Sequence, residues 1–164
     1  MAKGEIFTGL PKWAQGLIAV AVVGGIGFIS YKIYKKFKSE KDLKGAKEEL
    51  ASTSDTISTL QKSGQKPSLD QYQLNAIANQ LFTAMNGYGT DVNGVYKAFT
   101  NVKSDLDVLN LVKAYGVKKL SSGSYNPAPD LEGTLNQHLT EELNSKEMIA
   151  LNNLLARKGI KYRF

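Results

Sequence analysis

The chain has 164 residues, with 21 Lys and Arg against 15 Asp and Glu, a formal charge of +6, one histidine and no cysteine. A disulfide framework, a thiolate metal site, a cysteine nucleophile and a histidine-rich metal centre are therefore excluded. The positive balance is concentrated early: nine lysines face five acidic residues up to Leu50, leaving +2 for the rest. No stripe of base-stacking aromatics accompanies the charge, which argues against a nucleic-acid partner.

Residues 1–12, MAKGEIFTGLPK, read as a short tail with Pro11 placed to start a helix. From Trp13 to Tyr31, WAQGLIAVAVVGGIGFISY, there is no charged residue. As a helix this stretch is roughly 28 Å long, close to the hydrocarbon thickness of a bilayer, and it predicts a single transmembrane helix over 13–31. Trp13 and Tyr31 stand where amphipathic rings sit at headgroup level, and Lys32, Lys35, Lys36 and Lys38 follow at once. The positive-inside rule then places the amino end on the exported side and the long carboxyl part on the cytoplasmic side, or on the equivalent face of a virion membrane. A cleaved signal peptide would need a small-x-small site after the core, whereas Phe28, Ile29, Ser30 and Tyr31 run directly into lysines. Gly24, Gly25 and Gly27, with Ala21 a turn earlier, form a small-residue face that would let two such helices approach, so a homo-oligomer is one expectation.

Residues 32–67 read as a basic helical stalk and linker: a helix to about Leu50, a Ser/Thr-rich break, and a short helical piece near Ile57 to Gln61. The run KSGQKP, Lys62 to Pro67, marks a boundary. From Ser68 short amphipathic helices follow. Ser68 with Gln71 forms a capping box, and Tyr72, Ile77, Leu81, Phe82 and Met85 give an inward face up to Asn86. Thr90 caps a second helix bearing Val95, Tyr96 and Phe99. Ser104 with Asp107 opens a third, with Leu106, Leu109, Val112 and Tyr115 inward and Gly116 as its stop. VKKLSSGSYNPAPD is a loop. A fourth helix spans about Leu131 to Leu143, and Ser145 caps a fifth carrying Met148, Leu151, Leu154 and Leu155, with Gly159 beyond it. No stretch alternates with period two for long, so the expected fold is all-α: a single transmembrane helix plus a compact five-helix domain over 68–164. The basic residues Arg157, Lys158, Lys161 and Arg163 suit a helix C-terminus.

The sequence LFTAMNGYGTD, Leu81 to Asp91, resembles the signature of an annexin repeat, in which one helix runs into an A-M-x-G-x-G-T-D loop and a second helix. With the five-helix order and the segment DLEGTLNQHL, the resemblance covers roughly residues 68–158, a single repeat where annexins typically have four. It implies calcium-mediated phospholipid binding, with loop carbonyls of Met85, Gly87 and Gly89 on the ion and an acidic side chain closing the site. Aligning DLEGTLNQHL with the family places His138 where that carboxylate belongs, leaving Asp130 or Glu132 as substitutes only if the loop folds back. Read from the residues alone, Gly87, Gly89 and Thr90 are a turn kept for packing, and His138 is a helix-surface or interface residue.

Catalysis finds no support: HExxH, GxSxG and a phosphate loop are absent, and Glu141 and Glu142, adjacent on a helix, point in different directions on a solvated face. The expectation is a noncatalytic, cofactor-free membrane anchor linking a bilayer to structural proteins of an assembly. Single annexin-like repeats of the AMNGYGTD type resemble modules of bacteria and their viruses, and the sharper form is a minor virion protein joining capsid to internal membrane in a bacteriophage. Two alternatives are a calcium-dependent lipid-binding module already anchored to the membrane, and an envelope-associated accessory of a cell-wall enzyme or secretion machine.

Overall fold

The computed structural model describes residues 43–121 and 130–164. The expected span at 13–31, with Trp13, Tyr31, Lys32, Lys35, Lys36 and Lys38, lies outside the described residues. Among the described residues no helix is long and apolar enough to cross a membrane. What they form is mostly helical. In chain order there are α1 (Leu43–Lys62), α2 (Gln71–Met85), α3 (Val92–Ala98), a 3-10 turn (Phe99–Asn101), α4 (Asp105–Tyr115), strands β1 (Lys118–Leu120) and β2 (Leu131–Gly133), α5 (Leu135–Glu142) and α6 (Ser145–Arg157).

Helix α1 corrects the expectation of a break after Leu50. Serine and threonine are poor helix formers because their hydroxyls compete for the backbone. Here those hydroxyls are absorbed by the helix itself: Thr56, Ser58 and Thr59 donate to the carbonyls of Ser52, Ser54 and Asp55 at 2.9, 3.0 and 2.9 Å. Ala46, Glu49, Thr53 and Ile57 are buried and Leu50 and Leu60 pack on the core, so one face of α1 lies along α4. KSGQKP is the turn that leads on to α2.

Ser68 is not the cap of α2. Its N–H and hydroxyl both donate to the Asp107 carboxylate at 2.7 Å, and the capping box is formed two residues later by Asp70 with Gln73. The same one- or two-residue shift recurs. Asp91, not Thr90, caps α3, and Asn144 with Glu147, not Ser145, caps α6. Ser104 does cap α4, accepting from the Asp107 N–H at 3.1 Å.

A two-stranded antiparallel ribbon replaces part of the expected loop and the first turn of the expected fourth helix, with Lys118 opposite Gly133, Lys119 opposite Glu132 and Leu120 opposite Leu131. Three residue pairs are too few to print an alternating pattern in the sequence. A Cβ at Gly133 would fall 2.7 Å from the Gln137 side-chain oxygen and 3.3 Å from the His138 ring, so the close turn from β2 into α5 requires glycine there. Thr134 then caps α5 in a capping box with Gln137.

The core is continuous from Leu74, Ile77 and Leu81 of α2 through Phe99, Leu106 and Val112 to Leu139, Leu151 and Leu155. Tyr72, expected inward, is 84 % exposed. The final residues complete the core: Ile160 and Tyr162 are buried, and Phe164 stands edge-on to Phe99 at 5.3 Å between ring centroids.

Candidate functional site

The most distinctive local structure is the glycine loop between α2 and α3. Helix α2 ends when Asn86 turns extended. Gly87 and Gly89 then take φ of +123° and +77°, values that L side chains rarely adopt. A Cβ on either would meet nothing within 4 Å, so the requirement is conformational rather than steric. Between them Tyr88 is 89 % exposed. The loop is clamped at its base: the Gly87 N–H donates to the Ser121 carbonyl at 3.1 Å, the Ser121 N–H to the Asn86 side-chain oxygen at 2.8 Å, and the Asp91 N–H to the Ala84 carbonyl at 2.8 Å. Asp91 itself is committed to the Gly94 N–H at 2.9 Å.

Thr90, freed from capping, donates its hydroxyl to the Glu142 carboxylate at the end of α5. Glu142, expected with Glu141 on a solvated face, is carried by the fold back to the loop, 52 residues away in the chain. Its charge also helps hold the Tyr115 hydroxyl protonated, after burial, which is the larger cause. The missed signal lay in the register of α5: Glu142 ends that helix one turn beyond His138, and one turn decides which end of α5 faces the loop.

His138 is a correction in a second respect. It is fully buried, not on a surface. Its Nδ1 lies 2.6 Å from the Tyr115 hydroxyl and its Nε2 3.2 Å from the Leu131 carbonyl. A carbonyl can only accept, so Nε2 carries the proton and Nδ1 accepts from Tyr115. Burial pushes the imidazole down to about 4, against a smaller opposing effect of the Leu131 bond. It is neutral at pH 7, with both ring nitrogens engaged within the core. Of the proposed substitutes, Asp130 pairs with Lys119 at 2.9 Å and Glu132 is exposed on β2.

Among the described residues no three His, Cys, Asp or Glu side chains cluster. A cation at the loop would rely on the carbonyls of Met85, Gly87 and Gly89 with the single carboxylate of Glu142, and no donor among the described residues reaches those three carbonyls. All-oxygen donors of that kind fit a hard cation, and one negative charge puts the set at the weak end of such sites.

A second polar cluster joins α1 to the body. The Glu49 carboxylate, 3 % exposed, accepts from the Thr134 hydroxyl at 2.8 Å and from the Asn136 amide, and Asn136 in turn accepts from the Tyr162 hydroxyl at 3.1 Å. Burial raises the Glu49 carboxyl above its ordinary range, and the two hydrogen bonds partly offset this. In the first turn of α4, burial would likewise raise Asp107, but bonds from Ser68 and from the Lys103 N–H outweigh it and hold that carboxyl low.

No family model matches the sequence, and neither the curated proteins nor the solved structures give a match.

Proposed function

We propose that this chain is a noncatalytic, single-pass membrane-anchored protein whose helical body ties a bilayer to a protein assembly. The observation that carries the reading is the docking of α1. This helix begins at Leu43, twelve residues after Tyr31, and through Glu49, Thr53 and Ile57 it is part of the body's interior. A segment that continues from an apolar stretch and is itself cemented into a core transmits force and fixes orientation, as a flexible stalk would not. Glu49 meets Thr134 at the Gly133 end of the ribbon, and Ser121, past the other end, holds the base of the glycine loop. The assembly would be a structural one, in the sharper form a virion in which the protein joins capsid to internal membrane. Alkaline carbonate extraction tests the anchor. The full chain stays in the membrane pellet, and a variant with Val23→Arg and Ile26→Arg is released; release of the unaltered chain contradicts the reading.

The position of Glu142 favours a second reading, an annexin-like calcium site at the same loop that adds contact with phospholipid. Calcium at ten times its dissociation constant would stabilise the folded chain by about 1.4 kcal/mol. Thermal melts of the full chain with and without millimolar calcium check this: a rise of a few degrees, lost in Glu142→Gln, supports it, and identical melts exclude it.

A further inference from the structure

We propose that α1 is a proton-gated strap, docked firmly on α4 while Glu49 is neutral and released far more often once Glu49 is ionised, opening as a unit from a body that stays folded. The side that α1 turns inward is poor in apolar atoms. Its buried side chains are Ala46, Glu49, Thr53 and Ile57, and of these only Ile57 joins the buried apolar cluster, with Leu50 and Leu60 packed half-buried against it. Helix α4, by contrast, buries Leu106, Val108, Leu109, Leu111, Val112 and Tyr115, which lie on every side of it. A helix that contributes so little apolar surface opens at lower cost than the core it covers. The unit also has a defined end. Helix α1 stops at Gly64, with φ of +91°, where the Gly64 and Gln65 N–H groups close on the carbonyls of Gln61 and Leu60. Residues 63–67 are exposed, and Ser68 is then fastened to Asp107, so release of α1 goes no further than that short connection. The cap of α2, Asp70 with Gln73, lies beyond it.

Glu49 is the gate because everything that holds it is neutral. Its two oxygens accept from the Thr134 hydroxyl and the Asn136 amide, and Asn136 leads on to the Tyr162 hydroxyl. Among the described residues no cation stands within ion-pair distance of it. Lys47 and Glu48 on α1, Lys113 on α4, Glu132 on β2 and Lys161 beside Tyr162 are all exposed, and Asp105 and Asp107 of α4 are occupied by N–H groups of other segments. A carboxylate taken out of water onto neutral donors loses more than it regains, whereas a neutral carboxyl fits, since the Thr134 hydroxyl can accept as well as donate. The docked carboxyl is accordingly raised, and the released one, in water, titrates in the ordinary carboxylate range. Docking is therefore strongest below that range. It weakens, by up to tenfold per pH unit, as pH rises toward the docked value, and levels off beyond it. The inference concerns α1 and the body alone and stands whether or not the chain is anchored.

Hydrogen exchange of the full chain between pH 5 and pH 8, corrected for the intrinsic pH dependence of the amides, reads the opening of each helix separately. The protection of α1 relative to α2 and α6 is expected to fall at least tenfold from pH 5 to pH 8. His138 does not imitate this, because its protonation weakens the whole body and acts toward acid. In Glu49→Gln, which keeps an acceptor and cannot ionise, the same ratio stays at its pH 5 level throughout. Ile57→Ala, which removes the one large apolar anchor, lowers the ratio at least tenfold at every pH and keeps the slope. A ratio that is constant with pH in the unaltered chain overturns the proposal, and so does a fall in Glu49→Gln as steep as in the unaltered chain. Equal loss of protection in all helices of Ile57→Ala overturns it too, since α1 would then open only with the body.

Discussion

Asp107 shows how much one side chain can hold. It is fully buried and its carboxylate receives Ser68 and Lys103, while its own N–H is taken by Ser104, so the α1–α2 connection, the link from the 3-10 turn to α4 and the start of α4 meet on it. Asp107→Ala leaves several buried donors unmet, and a loss of about 3 kcal/mol is expected in urea unfolding. Because its folded pKa is depressed, its stabilisation is present above the ordinary carboxylate range and is lost as pH falls through the folded value. His138 adds an acid sensitivity at higher pH. Its folded value of about 4 lies below the ordinary 6.5, so the unfolded chain binds the proton more readily. The neutral ring's full contribution is present above 6.5 and drains away as pH falls from 6.5 to 4, by roughly 3 kcal/mol at most. In His138→Gln this slope between pH 6.5 and 4 should disappear; a slope equal to that of the unaltered chain would assign it elsewhere. At the loop, Gly89→Ala must hold an L residue at φ +77°, with an expected cost of about 1 kcal/mol and no change in helix content.

At the scale of elements, helix existence was legible and helix starts were not. The apolar spacing of Leu81 and Met85, of Leu106, Leu109 and Val112, and of Leu151 and Leu155 located three helices because those side chains do form the core. Caps were misplaced because Ser68 and Thr90 are of the right chemical type but are spent on distant carboxylates, Asp107 and Glu142, and no local pattern reveals such contacts. The ribbon stayed hidden because it is three residues long and is stabilised by its setting, with Leu120 buried and Lys119 paired to Asp130. Glu49 was hidden for the same reason. In sequence it is one charge in a polar run; in the fold it is a buried acceptor at the start of α5. Since burial raises its pKa, the ionised form weakens the fold at high pH, and stability should rise as pH falls toward the folded value. Glu49→Gln keeps the acceptor geometry without the charge. Its urea midpoint at pH 8 is expected to equal or exceed that of the unaltered chain, by up to about 1 kcal/mol. A loss of more than about 2 kcal/mol there would mean that the ionised carboxylate is required.

At the scale of the molecule, the described residues form one packed body into which α1 is built, while the uncharged outer face of α2 and the glycine loop remain accessible. Under the proposed anchoring, the apolar run before α1 and the lysines that follow it would give that body a direction, with the amino end across the bilayer and the body on the basic side. Labelling of single cysteines in the full chain, with a maleimide that cannot cross membranes, reads this arrangement most directly. Thr8→Cys is predicted to label from outside intact cells, and Asp55→Cys, exposed on α1, to label only after the membrane is opened. Labelling of Asp55→Cys from outside would contradict the account.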